Sequence, residues 1–138
     1  MDDRLLNILL VEDDEVDVMN VKRAFQKNHI TNPLFVAGNG LEALELLRGG
    51  SIPKERRIVL LDLNMPKMNG IEFLRELRAD PALGGTPVVV LTTSNAEQDK
   101  VQAYNLNVAG YLLKPVTFAN FCDVMAALNK YWALVEMP

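Results

Sequence analysis

Acidic, hydroxyl and amine side chains stand at the ends of four apolar runs in this 138-residue sequence. Glu12 and Asp13 follow the first run, Asp62 the third, Thr92 the fourth and Lys114 the fifth. Ligands bind at the carboxyl edge of open α/β sheets, where the ends of parallel strands meet. If the runs are parallel strands, we expect these side chains to form one site.

The three acids predict a metal site. Two carboxylates about 4 Å apart repel by about 4 kcal/mol at an effective dielectric of 20. A raised pKa on one acid would relieve this repulsion, and a divalent cation would relieve it better. Mg²⁺ prefers hard oxygen ligands and open positions. We predict Asp13 and Asp62 as direct ligands together with a backbone oxygen of Asn64, and Glu12 as a ligand acting through water.

Asp62 is also a candidate nucleophile. A carboxylate that attacks a phosphoryl group forms an acyl phosphate, and the charge on the phosphoryl oxygens must be countered on several sides. The cation would counter one oxygen, Lys114 a second and Thr92 a third. The backbone groups that we predict to bind the phosphate belong to Asn64, Met65 and Thr93.

The apolar runs alternate with longer helical patterns, which predicts five strands and five helices. Three runs are almost continuously aliphatic, as is typical of parallel strands covered on both faces. The alternation predicts right-handed crossovers and a doubly wound, five-stranded parallel sheet of the α/β class. The predicted strands are Leu5–Val11, Leu34–Ala37, Ile58–Asp62, Val88–Leu91 and Gly110–Leu113.

Apolar spacing and capping patterns define the helices. We predict a capping box at Ser94–Glu97, a looser one at Asn39–Glu42 and a turn at Asn69–Gly70. Trp132 lies late enough in the last helix to belong either to the core or to an interface. The apolar faces that we predict are Leu41, Leu44 and Leu47; Ile71, Leu74 and Leu77; and Phe118, Phe121, Met125, Leu128 and Trp132.

Composition excludes several classes of function. The net charge of −4 argues against binding to nucleic acid. Cys122 is the only cysteine, so an internal disulfide is impossible and a reducing compartment fits. The apolar runs are far shorter than the roughly 20 residues that span a bilayer, and Met1–Arg4 has no signal-peptide pattern. We expect one domain over residues 1–138, in the cytoplasm and without a membrane partner.

In this order and spacing, the motifs resemble the receiver domain of two-component response regulators such as CheY. The resemblance covers essentially the whole chain. It implies strand order 2-1-3-4-5, Mg²⁺-dependent capture of a phosphoryl group from a sensor histidine kinase on Asp62, and slow self-hydrolysis rather than conventional enzyme turnover. The matching residues are Glu12-Asp13, Asp62 within Leu-Asp-Leu-Asn-Met-Pro, Asn69-Gly70, Thr92 and Lys114-Pro115.

The resemblance also implies a switch. Phosphorylation would draw Thr92 toward the phosphate, and Tyr111 would turn inward. The alternative role for Tyr111 is plain packing on its strand, and we favour the switch role. The surface of the fourth helix, fifth strand and last helix would then change shape. The family usually has a cis bond at the position of Lys114–Pro115, which would aim Lys114 inward.

A narrower resemblance is to the small regulators paired with cyanobacterial phytochromes. It rests on Leu91–Ser94, Ala103-Tyr104 and the tail Tyr131–Pro138. It implies a phytochrome-type kinase as partner, and a homodimer formed through the fourth helix, fifth strand, last helix and C-terminal extension.

Three other functions fit parts of the pattern. A phosphorelay intermediate would pass the phosphoryl group on to a histidine phosphotransfer protein. An aspartyl-phosphate phosphatase would usually carry a second acid two residues after the nucleophile, where this chain has Asn64. A flavodoxin-like cofactor binder would need a glycine-rich phosphate loop after the first strand, where Glu12–Asp14 stands instead.

Overall fold

The computed structural model describes residues 5–135, and in it five strands alternate with five helices. Met1–Arg4 and the last three residues of the predicted C-terminal extension, 136–138, lie outside the described residues. The strands are β1 (Asn7–Val11), β2 (Leu34–Ala37), β3 (Arg57–Leu61), β4 (Val88–Thr92) and β5 (Gly110–Leu113). The helices are α1 (Glu15–Lys27), α2 (Gly40–Arg48), α3 (Gly70–Ala79), α4 (Glu97–Asn105) and α5 (Phe118–Leu134).

The strands form one parallel sheet in the order β2-β1-β3-β4-β5, which confirms the predicted fold class and topology. Val11 at the end of β1 is in register with Leu61 at the end of β3. The residues that follow these two strands are therefore neighbours. The Asp62 N–H still donates to Val11 O at 3.0 Å, so the pairing reaches one residue past β3. The site lies where the strand order reverses, at the carboxyl edge.

Each face of the sheet carries its own apolar core. Successive side chains of a strand point to opposite faces of the sheet. In β1, Leu9 and Val11 therefore pack toward α2, α3 and α4. Ile8 and Leu10 pack toward α1 and α5 on the other face. All five residues of β3 and of β4 are buried. These two strands thus have no exposed face, as expected for parallel strands covered on both sides.

Trp132 belongs to the core. It is buried, and its ring meets Phe25 of α1 edge to face at 6.2 Å between centroids. Two predicted face positions are wrong: Leu41 is 51 % exposed and Phe118 is 37 % exposed. Ala43 takes the buried place in α2. Leu41 and Phe118 both lie in the first turn of their helix. At the edge of the sheet, the apolar face of a helix can extend past the core and meet solvent.

The capping box predicted at Ser94–Glu97 is wrong. α4 begins at Glu97 after Ala96, which makes no side-chain cap bond. Ser94 Oγ donates instead to Oδ2 of Asp99, a residue in the first turn of α4, at 2.5 Å. The full capping box lies at Asn69, where the side chains and backbones of Asn69 and Glu72 bond reciprocally. This box fixes the start of α3 directly after the loop that carries Asp62.

Gly70 lets α3 approach the backbone beside Asp62. A Cβ at Gly70 would stand 2.6 Å from Leu63 Cα and 2.7 Å from Asp62 O, which are backbone atoms that cannot rotate away. We expect Gly70→Ala to lower the free energy of unfolding by about 2 kcal/mol, measured by urea denaturation. Gly85→Ala is the control, because nothing lies within 4 Å of its added carbon. Equal stability of the two variants would contradict this packing.

None of the helices within residues 5–135 has the length and apolar character needed to cross a membrane.

Candidate functional site

Three acids converge at the carboxyl edge between β1 and β3. Glu12, Asp13 and Asp62 each place one carboxylate oxygen within 4.8 Å of the others. Glu12 and Asp62 are buried, whereas Asp13 is exposed, so the cluster opens to solvent on the Asp13 side. All-oxygen donors with one open side fit a hard divalent cation such as Mg²⁺. These three residues are the ones that would hold it.

The two oxygens of Asp62 have different partners. Oδ1 accepts the Thr92 hydroxyl at 2.7 Å and the Asn64 N–H at 3.2 Å. Oδ2 lies 3.4 Å from Lys114 Nζ. Thr92 is completely buried as the last residue of β4, which leaves its hydroxyl aimed at Asp62. One carboxylate is therefore flanked by a hydroxyl on one side and an ammonium on the other.

Lys114 makes more ion pairs than the sequence predicts. Its Nζ donates to Glu12 Oε1 in a very short contact, to Asp17 Oδ2 at 2.8 Å and to Asp62 Oδ2 at 3.4 Å. Asp17 is the functional-site residue that sequence reasoning missed. Its only sequence signal is an acid in the first turn of α1, a position that also suits the helix dipole. The side chain of the neighbouring Asp14 has its hydrogen bonds at this helix end, where it caps α1 by accepting from the Val16 N–H at 2.8 Å.

The amino-acid sequence is matched by a family model. The model of the response regulator receiver domain covers residues 8–126 of this chain. The chain belongs to the response regulator receiver family.

Two relatives of this receiver domain are named as regulatory proteins. It is 38 % identical over 130 residues to the probable methanogenesis regulatory protein FilR2 of Methanothrix harundinacea, covering 91 % of this chain and 82 % of that one. It is 36 % identical over 128 residues to the response regulator Rcp1 of Synechocystis, covering 91 % and 87 %. The narrower resemblance to phytochrome response regulators is confirmed by the cyanobacterial phytochrome response regulator RcpA, which is 31 % identical to this chain.

Solved structures agree with that placement. The phosphorylated cyanobacterial phytochrome response regulator RcpA superposes with a TM-score of 0.86 at 31 % identity, covering 97 % of this chain and 99 % of that one. The Mn²⁺-bound form of Rcp1 superposes with a TM-score of 0.84 at 35 % identity, covering 96 % and 99 %.

A hydrogen-bonded path runs through the receiver domain from Asp62 to Tyr111. Thr92 Oγ1, bonded to Asp62, accepts the Ser94 N–H at 3.3 Å. Ser94 O in turn accepts the Tyr111 hydroxyl at 2.9 Å. Tyr111 is half-buried and packs against the core on the α2–α4 side. Any movement of Thr92 would therefore disturb the loop that Tyr111 holds.

The remaining predicted residues lie on the loops that flank Asp62. Met65 is buried after β3, and Thr93 is exposed after β4. The Asn64 side chain reaches across to Thr93 Oγ1 at 3.5 Å. The two loops therefore flank Asp62 at the carboxyl edge of the sheet.

The predicted cis bond at Lys114–Pro115 is wrong, since every peptide bond within residues 5–135 is trans. The trans form is the intrinsically favoured one even before proline. The Lys114 N–H donates to Thr92 O at 2.8 Å. That bond holds the backbone beside β4, and the side chain reaches the acids from there.

Burial dominates the protonation of the site. It raises the pKa of Glu12 to about 8, with the charge of Asp62 adding to the rise and Lys114 opposing it. Burial alone would lower the pKa of Lys114, but hydrogen bonds to Asp17 and Glu12 outweigh it and raise that pKa above its ordinary value. Lys114 is therefore charged at neutral pH, and Glu12 takes up a proton at a higher pH than a solvent-exposed glutamate would.

This raised pKa predicts a stability that falls as the pH rises. Burial raises the pKa of Glu12 from 4.5 to about 8 in the folded protein. The stabilisation that the protonated Glu12 gives the fold is therefore complete below pH 4.5 and is lost as the pH rises through 8. Urea unfolding in EDTA should show a loss of about 2 kcal/mol between pH 5.5 and 8.5, a value that allows for solvent screening at the open side. Glu12→Gln should abolish most of this slope. An unchanged slope in Glu12→Gln would refute the assignment to this carboxyl group.

Proposed function

We propose that this receiver domain accepts a phosphoryl group on Asp62 from a sensor histidine kinase, with Mg²⁺ as cofactor, and changes its interaction surface as a result. The observation that supports this best is the surroundings of Asp62. The Thr92 hydroxyl bonds one carboxylate oxygen, and the Lys114 ammonium lies beside the other. These are the groups needed to counter the charge of a phosphoryl group on its acceptor.

The cofactor proposal rests on the acid cluster. Asp13 and Asp62 would bind Mg²⁺ directly with a backbone oxygen of Asn64, and Glu12, which is paired with Lys114, would act through water. When bound, the ion would polarise the phosphoryl oxygens and offset the charges of the acids. The existence of a Mn²⁺-bound form of the related Rcp1 supports the binding of a divalent cation by this chain.

The protein's own groups would bind the rest of the phosphoryl group. Lys114 Nζ would pair with one oxygen and Thr92 Oγ1 would donate to another, while backbone N–H groups of Asn64, Met65 and Thr93 complete the cradle. The receiver domain is on this proposal a phosphoacceptor that slowly hydrolyses its own acyl phosphate, and not a conventional enzyme.

The switch would follow the hydrogen-bonded path. A phosphoryl group adds nearly two negative charges and three acceptor oxygens, so Thr92 Oγ1 would leave the Asp62 carboxylate for the phosphate. Its bond with the Ser94 N–H would be lost, and Tyr111, tied to Ser94 O, would be free to turn inward. The two arrangements form a population equilibrium that phosphorylation biases.

The surface formed by α4, β5 and α5 is the proposed output. It carries large exposed apolar side chains that need a partner to be covered. A homodimer through this surface and the C-terminal extension is one way to cover them, and a cytoplasmic receiver would signal through such contacts. The exposed side chains are Val101, Tyr104, Leu113, Phe118, Tyr131 and Leu134.

The kinase partner is testable by phosphotransfer. The likeness to the phytochrome response regulator RcpA suggests a phytochrome-type histidine kinase as donor. We expect label from such a phosphorylated kinase to move to the receiver within minutes in Mg²⁺ and not in EDTA. Phosphotransfer from kinases of other classes, with none from a phytochrome-type kinase, would contradict this assignment of the partner. Onward transfer to a histidine phosphotransfer protein would make the receiver a phosphorelay intermediate instead.

A further inference from the structure

The Lys114 ammonium is shared among more carboxylates than phosphoryl binding would require. It has three hydrogens to donate, and three acids take them. The contact to Asp17 is 2.8 Å, whereas the contact to Asp62 is 3.4 Å. The ammonium therefore lies nearer to Glu12 and Asp17 than to the proposed phosphoacceptor.

Asp17 differs from the other two partners of Lys114. Its side chain is 33 % exposed, against 2 % for Glu12 and 7 % for Asp62. It comes from the first turn of α1, and it is not one of the three acids whose oxygens cluster at the cation site. Its carboxylate meets the site through Lys114.

We propose that Asp17 is a positioning residue that restrains Lys114 in the unphosphorylated receiver and competes with the phosphoryl group for the ammonium. This inference rests on the proposed function. For Lys114 to pair fully with a phosphoryl oxygen, it must weaken its bond to Asp17. The Asp17 carboxylate thus opposes phosphoryl binding, and phosphoryl binding equally releases Asp17, because coupling between two interactions is reciprocal.

Asp17→Asn is the matched substitution, because it keeps the shape and an acceptor oxygen while removing the charge. Glu15→Gln is the control, since it removes the same charge from the same first turn at an exposed position. The probe is beryllium fluoride, a phosphoryl mimic, titrated in Mg²⁺ and followed by ¹⁹F NMR. We expect Asp17→Asn to bind it about tenfold more tightly than wild type, as the loss of a competing charge-assisted hydrogen bond implies. Glu15→Gln should stay within about twofold.

A metal-free measurement isolates the Asp17–Lys114 contact. Proton–nitrogen NMR of lysine ammonium groups in EDTA should show the Lys114 signal protected in wild type and in Glu15→Gln. In Asp17→Asn the signal should shift and exchange faster with water. An unmoved Lys114 signal would overturn the inference, as would equal affinity of wild type and Asp17→Asn for beryllium fluoride.

The experiments distinguish failure of the proposed function from failure of the Asp17 inference. If wild type does not bind beryllium fluoride in Mg²⁺, phosphoryl capture at Asp62 is refuted, while the ammonium signal still decides whether Asp17 restrains Lys114. If wild type binds it and Asp17→Asn gains nothing, only the competition is refuted.

Discussion

Asp62→Asn is expected to abolish phosphorylation of the receiver by acetyl phosphate in Mg²⁺. An amide cannot replace the carboxylate as nucleophile, although it can still accept the Thr92 hydroxyl bond that Asp62 Oδ1 makes at 2.7 Å. The fold should therefore survive. Intact mass after incubation should show no phosphoryl adduct on the variant.

The same substitution should stabilise the metal-free protein. Asp62 is buried beside Glu12, and its charge raises the pKa of that group. Removing one of two like charges should raise the free energy of unfolding in EDTA by about 1 kcal/mol, and Mg²⁺ should stabilise the variant less than wild type. Asp123→Asn, at an exposed position on α5, is the control and should change neither property. A phosphoryl adduct on Asp62→Asn at the wild-type rate would place the acceptor elsewhere.

Lys114→Met is expected to slow phosphorylation about 100-fold, the effect typical of losing one donor to a developing charge. Methionine keeps much of the length of the side chain and removes the ammonium, which is the donor beside Asp62 Oδ2. The measurement is the initial rate of adduct formation by intact mass at saturating Mg²⁺. Lys130→Met, an exposed lysine on α5, should react at the wild-type rate.

Lys114→Met should also destabilise the protein in a pH-dependent way. It leaves Glu12 buried without its partner, and breaking a buried pair in this way costs about 3 kcal/mol when the acid is charged. At pH 5.5 Glu12 can keep its proton, because burial raises its pKa to about 8, so the loss of stability should be smaller there than at pH 8.5. Equal losses at the two pH values would show that the ammonium does not neutralise Glu12.

The positions of the strands and of the main site residues were predictable for one physical reason. A parallel strand covered on both faces leaves only aliphatic residues in its middle, so polar chemistry is confined to its end. That rule predicted Glu12, Asp13 and Asp62 at one site, and the structure places these acids together. Lys114 joins them from the end of β5, a strand that is only partly buried. The functional roles assigned to them remain predictions until phosphorylation is measured.

What the sequence did not reveal depends on contacts between distant segments. Asp17 and Lys114 are 97 residues apart, and their ion pair joins the first turn of α1 to the residue that follows β5. Ser94 has a suitable local pattern for a helix cap, but its neighbours Thr92, Asp99 and Tyr111 use its polar groups instead. Local patterns predict the order of elements well, and they fail where a tertiary hydrogen bond competes with a local one.

The central claim is that Asp62 accepts the phosphoryl group, and chemical trapping tests it most directly. Wild type would be incubated with acetyl phosphate in Mg²⁺ or EDTA, reduced with borohydride to convert acyl phosphate to homoserine, digested and sequenced by mass spectrometry. We expect homoserine at position 62 only in the Mg²⁺ sample. Native mass spectrometry of the unreduced sample would report any change in the dimer fraction. Homoserine at Asp13 or another acid, or at no position, would contradict the account.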